Sequence, residues 1–165
     1  VRKSFLDQLE PPFLDLHSAA WTAKDTYEMR ADARRFENWE SYFAGHIALG
    51  VAVDYLLDIG IDTASERLCS LAATAREKLS GIPGITVADI GKHKGGMVTF
   101  YHDRIPAEDI KEKLAKEGIN VSTSNISSTR LDMEKRALPT LVRASFHYYN
   151  TEDELDTFLQ VVSTP

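Results

Sequence analysis

The stretch Leu141-Val142-Arg143-Ala144-Ser145-Phe146-His147-Tyr148-Tyr149-Asn150-Thr151-Glu152-Asp153-Glu154-Leu155-Asp156 decides the reading of this chain. Leu141 to Tyr148 is a short β-type run with one arginine near its start. A turn follows at Asn150. Thr151, with Glu154 three residues on, has the form of a capping box and predicts a helix over 152–162. An arginine on a strand that runs into a capped helix suits a carboxylate: the planar guanidinium binds one bidentately and the strand keeps it aimed. From the residues alone, an ordinary ion pair with a surface carboxylate suits Arg143 as well.

Working outward, the spacing predicts a small sheet with helices on it. Pro106, followed by Glu108 and Asp109, opens a helix that ends at Gly118. Ile119 to Ser122 reads as a strand. Ser122 to Pro139 is then a long polar connection of the kind that carries function or moves. Upstream, Ile85 to Ile90 and Met97 to His102 flank a turn at Gly91 to Gly96 and predict a hairpin, with Val98 and Phe100 on one face. Thr63-Ala64-Ser65-Glu66 has the form of a second capping box, opening a helix with Leu68, Leu71, Ala72, Ala75 and Leu79 on one side and Gly81 at its end. Trp39 to Leu57 has near-helical apolar spacing and reads as a long, largely buried helix ending near Gly60. Residues 1–38 lack a sustained period; Phe5, Leu6 and Leu9 make at most one helical turn before Pro11-Pro12, and the segment reads as an arm. The expected fold is α+β: a small, mostly antiparallel sheet with helices packed on one face. The expected division is an arm or interdomain segment at 1–38 and a domain at 39–165.

Composition bounds the function. The chain has 165 residues, 43% hydrophobic and 27% charged, which is ordinary for a globular domain. A net charge of −6 argues against nucleic acid as a partner. The single cysteine, Cys69, makes no internal disulfide, so a reducing, cytoplasmic setting is expected. No apolar run nears the roughly 20 residues a membrane span requires, and no signal peptide is evident. Val1 is not an initiator methionine; a mature N-terminus or an excised fragment would each explain it.

The order Arg-x-Ser-x-x-x-Tyr-Asn-Thr-x-x-Glu-x-Asp at 143–156 resembles the C-terminal signature of class V pyridoxal-phosphate enzymes, the fold type I aminotransferases and cysteine desulfurases. Arg35-Phe36-Glu37 resembles the Arg-Phe-Glu motif of the same family, at the expected order and separation. The resemblance runs from about residue 13 to the end. It implies the small C-terminal domain of such an enzyme, in which Arg143 binds the α-carboxylate of an amino-acid substrate. It further implies pyridoxal 5′-phosphate as cofactor, a homodimer, and a large domain, absent here, that carries the Schiff-base lysine. The isolated chain is then expected to be inactive.

The family continues Arg-Phe-Glu with Gly-Thr, whose hydroxyl approaches the cofactor phosphate of a neighbouring subunit. Trp39-Glu40 stands in that place. A carboxylate would repel a phosphate, so Glu40 reads instead as a negative charge at a helix N-terminus. Arg35 and Glu37 read as a structural pair. His93-Lys94 imitates the family's His-Lys pair but falls after Arg-Phe-Glu rather than before it, in a glycine-flanked turn where an exposed lysine is a poor nucleophile. Cysteine desulfurases carry their reactive thiol on the loop before the Arg-x-Ser strand. The matching loop has Ser124, Asn125, Ser127 and Ser128 and no cysteine, which disfavours persulfide chemistry, and Cys69 reads as a small buried hydrophobe. Ser124, Asn125 and Arg130 are candidate site-loop residues, and His147 and Tyr149 alternate towards one cleft. The five histidines show no metal spacing.

Other readings are a free-standing regulatory or interaction module that binds a small carboxylate, and a lyase or epimerase on the same scaffold.

Overall fold

The computed structural model describes residues 1–164; Pro165, the last residue of the expected domain, lies outside the described residues. The chain divides into two compact units, Val1–Tyr55 and Leu56–Pro165. The division falls within a long helix, whereas the sequence suggested residue 38.

The first unit is not wholly irregular. A 3-10 turn spans Lys3–Gln8. Strands β1 (Ala19–Ala23) and β2 (Thr26–Met29) pair antiparallel, with a register shift between Trp21 and Ala23. The sequence hid this hairpin because its residues are exposed on both faces, apart from buried Ala19 and half-buried Met29, so no period-2 alternation marks it. Asp15 organises the segment. Its carboxylate accepts from the backbone N–H groups of Trp39 at 2.6 Å, His17 at 2.8 Å and Ser18 at 3.1 Å. These bonds, led by Trp39, hold its pKa down at about 2.

Helix α1 covers Phe43–Ile59 and none of its residues is buried, contrary to the largely buried helix expected. Spacing reveals an apolar face but not what covers it. Glu40 precedes the helix and is not in its first turn.

Helix α2 follows at once, over Ile61–Ser80. Gly60, at φ +92°, ends one helix and caps the next, so Thr63 and Glu66 lie inside α2 and do not form the expected capping box. Strands β3 (Ile85–Val87), β4 (Met97–His102), β5 (Ser122–Ser124) and β6 (Leu141–Ser145) form one sheet in the order β3-β4-β6-β5, antiparallel at every pairing. Helices α3 (Ala107–Lys116) and α5 (Glu152–Ser163) join α2 against one face. The core holds Leu71, Leu79, Val98, Phe100, Leu114, Val142 and Phe158. The fold class is the α+β arrangement read from the sequence.

The polar connection at 122–139 is more ordered than expected. It contains β5, which begins at Ser122 instead of Ile119, and a short helix α4 (Arg130–Arg136). Seven residues with Met133 as the one buried side chain are too few for a periodic signal. Met133 packs with Ala88 and Leu141 in a second small cluster. Leu141 and Val142 point to opposite faces, so α4 covers the face away from the main core.

The capping box at the start of α5 forms as predicted. Glu154 N–H donates to Thr151 Oγ1 at 3.2 Å, and Thr151 N–H donates to Glu154 Oε2 at 2.9 Å. Among the described residues no single helix is long and apolar enough to cross a membrane.

Candidate functional site

Alternation along β6 sets the site. Val142 and Ala144 enter the core, so Arg143 and Ser145 stand on the opposite face. Thr99 of β4 lies opposite Arg143 on one side and Ser122 of β5 on the other. Arg143 and Ser145 border an open cavity of about 770 Å³. Its rim comprises the Gly91–Gly96 turn and one side of α4.

Four full cations line this cavity: Arg76, Lys94, Arg136 and Arg143. Two carboxylates, Asp89 and Asp132, line it too. Arg76 Nε donates to Asp89 Oδ2 at 2.7 Å, and both side chains are nearly buried. Arg136 Nη1 donates to Asp132 Oδ2 at 3.0 Å, one helical turn away, and its Nη2 donates to the Ala88 carbonyl. Asp89 also accepts from the Thr99 N–H at 2.9 Å and from the Thr99 hydroxyl. Both carboxylates are therefore engaged. Among the described residues, the Arg143 guanidinium has neither a hydrogen bond nor an ion pair, and the same holds for the Lys94 ammonium.

An arginine on a strand, unpaired and facing a cavity, is equipped to hold an anion. A second cavity, of about 450 Å³, lies beside the first turns of α5. Its charged lining is Glu117, Asp153 and Glu154, with no cation, so it would repel the same ligand.

The other sequence candidates scatter. Ser124 lines the Arg143 cavity. Asn125 is a turn former whose Oδ1 accepts from Ser127 N–H at 3.0 Å and Ser127 Oγ at 2.6 Å. Arg130 pairs with Glu134 at 2.7 Å. His147 stacks on Tyr149, with ring centroids 4.5 Å apart, outside the lining of the Arg143 cavity. Arg35 belongs to the Val1–Tyr55 unit. It is buried and donates to the carbonyls of Arg30 at 2.7 Å and Leu6 at 3.0 Å. It does not pair with Glu37, which faces His17 at 3.5 Å. The reason is local: the Arg35 side chain turns inward to satisfy backbone acceptors while Glu37 is on the surface. Cys69 is half-buried, its thiol 3.7 Å from the Lys94 carbonyl. Among the described residues no cluster of His, Cys, Asp and Glu has the form of a metal site.

Arg76, Asp89, Thr99 and Arg136 escaped the sequence reading. Arg76 reads there as an ordinary helix residue, Asp89 and Thr99 as strand residues and Arg136 as part of the polar connection. The contacts of Arg76 with Asp89, of Asp89 with Thr99 and of Arg136 with Ala88 join segments distant in sequence.

The class V aminotransferase family profile matches residues 1–158. A "Probable cysteine desulfurase" of Halalkalibacterium halodurans is 30% identical over 163 residues, covering 94% of this chain and 38% of that protein. The apo cysteine desulfurase of Thermococcus onnurineus NA1 superposes with a TM-score of 0.82 at 25% identity, over 99% of this chain and 41% of that one. A variant of C-DES with glycine covalently linked to its PLP cofactor shares the fold, with a TM-score of 0.73 at 20% identity over 99% of this chain and 40% of that one. The chain thus spans about two fifths of the length of the proteins it matches. The match over 158 of 165 residues, with the Arg143 strand and its capped helix in place, shows that this chain belongs to the class V aminotransferase family of pyridoxal-phosphate enzymes.

Proposed function

We propose that this chain is the substrate-orienting part of a pyridoxal-phosphate enzyme acting on an amino acid, with Arg143 holding the α-carboxylate. The observation that carries this reading is the unpaired Arg143 guanidinium on the rim of a cavity whose own carboxylates are already engaged. The ladder fixes the Arg143 backbone between Thr99 and Ser122 and so keeps its side chain on the cavity face, from which it orients the substrate as well as binding it. When bound, the cofactor supplies an electron sink for chemistry at the substrate Cα.

The described residues do not by themselves fit that cofactor. Lys94, the one lysine lining the Arg143 cavity, is exposed, and the cavity is open. We therefore assign the Schiff-base lysine and the phosphate site to the remainder of the whole protein and expect this chain alone to be inactive. A homodimer in a reducing cytoplasmic setting belongs to the same proposal and rests on the family and the single thiol.

The names of the relatives favour chemistry at sulfur. The segment before β6 offers Ser124 at the end of β5, then Asn125, Ser127 and Ser128, where a persulfide-forming enzyme needs a thiol. Cys69 lies on α2 instead. The reaction that suits this chain needs no protein thiol: transamination, or a lyase-type cleavage.

The test is to replace Arg143 in the full-length enzyme. Binding of L-amino acids, read from the visible absorbance of the cofactor, should weaken roughly 10- to 100-fold in Arg143→Ala, the scale of a lost charge-assisted hydrogen bond, with cofactor content unchanged. Equal affinity in the variant would remove Arg143 from the site.

A further inference from the structure

We infer that Lys94 is a specificity residue of this site, selecting amino acids whose side chain carries a second anionic group. The inference rests on the reading of Arg143 above and adds a second point of contact.

The charge inventory motivates it. Of the four full cations around the cavity, Arg76 and Arg136 are matched by Asp89 and Asp132. Arg143 and Lys94 are left unmatched, one on the strand and one on the turn beyond its end. A ligand with one carboxylate satisfies Arg143 and leaves Lys94 to water. A ligand with two anionic groups satisfies both by charge-assisted hydrogen bonds.

Lys94 is held for this purpose, although its side chain is exposed. A single guanidinium ties both stems of its turn. Arg76 Nε donates to Asp89 before the turn, and Arg76 Nη2 donates to the carbonyls of Gly95 and Met97 after it, each at 2.7 Å. The turn also rests on the end of β6. Phe146 N–H donates to the Gly96 carbonyl at 2.9 Å, and a Cβ on Gly96 would stand 2.5 Å from the Phe146 carbonyl oxygen, so only glycine fits. Lys94 is thus kept at the end of the strand that presents Arg143. His93 lines the same rim and adds a hydrogen-bonding ring without a fixed charge.

The experiment measures dissociation constants of the full-length, cofactor-loaded enzyme for L-aspartate and L-glutamate against their neutral isosteres L-asparagine and L-glutamine. The unmodified enzyme should prefer the acid of each pair by roughly tenfold or more, as one charge-assisted contact provides. Lys94→Met should bring each ratio to within about twofold, and Lys94→Arg should keep it, with cofactor content unaltered in both. No preference in the unmodified enzyme, or a preference that survives Lys94→Met, would overturn the assignment. So would loss of cofactor in Lys94→Met, which would place Lys94 on the cofactor phosphate. Arg143→Ala separates the two claims. If it weakens all four ligands while Lys94→Met changes nothing, Lys94 alone is removed. If Arg143→Ala changes nothing, the carboxylate reading falls and the Lys94 assignment with it.

Discussion

Arg76 and Asp89 meet at 2.7 Å with their side chains only 12% and 11% exposed, joining α2 to the chain just past β3. Thirteen residues and a change from helix to strand separate them in sequence. The pair does more than neutralise two charges. Asp89 fixes Thr99, which stands across the ladder from Arg143, and Arg76 fixes the far stem of the Lys94 turn. One ion pair therefore supports both unmatched cations of the cavity.

Breaking that pair should cost stability. Removing one partner of a buried pair leaves an uncompensated charge, a loss of about 3–5 kcal/mol. We expect Asp89→Ala and Arg76→Met each to lower the free energy of unfolding by that order in urea titrations. A loss below about 1 kcal/mol, the range of exposed pairs, would show that water already reaches the contact.

Acid should loosen the start of α5. The bond from the Arg67 guanidinium, helped by the Glu152 backbone N–H, lowers the Glu152 pKa from 4.5 to about 2. A depressed carboxyl pKa gives stability that is complete above the unfolded value and is lost as pH falls through the folded one. The window therefore runs from about pH 4.5 down to about 2. Following the Glu152 carboxyl by NMR should show a midpoint near the lower limit, and Arg67→Met should move it up towards the ordinary value. A midpoint unmoved by Arg67→Met would mean that the pair does not persist in solution.

Cys69→Ala should leave turnover of the full-length enzyme intact. The thiol lies on α2 against the Lys94 carbonyl, and the loop before β6 has no cysteine. Abolished turnover would revive persulfide chemistry with Cys69 as its nucleophile.

Phe100 should be the most costly aromatic to truncate. It is fully buried on β4, edge-on to Phe158 of α5 at 6.1 Å, and joins the sheet to the helical layer. Phe100→Ala should lower stability by about 3–5 kcal/mol, while Phe100→Leu should cost markedly less. Calorimetric midpoints of the two variants, compared with the unmodified chain, check the order.

The sequence by itself determined the elements whose signals are local. The Thr151–Glu154 capping box needs residues three apart, and it forms as read. Strand β4 and its Val98–Phe100 face need only a period of two, and the β-type run that begins at Leu141 placed Arg143 on a strand. The tertiary structure decided what no short window holds. It left α1 without a buried residue, put α4 on the outer face of the sheet, and turned Arg35 inward onto carbonyls. It also decided which charges remain unmatched. Asp89 meets Arg76 and Asp132 meets Arg136, so among the described residues Arg143 and Lys94 are left over. A periodicity shows which face of an element is apolar or polar. Only the packing of elements distant in sequence determines which charge meets which, because a guanidinium pairs with whatever carboxylate the fold brings within a few ångströms.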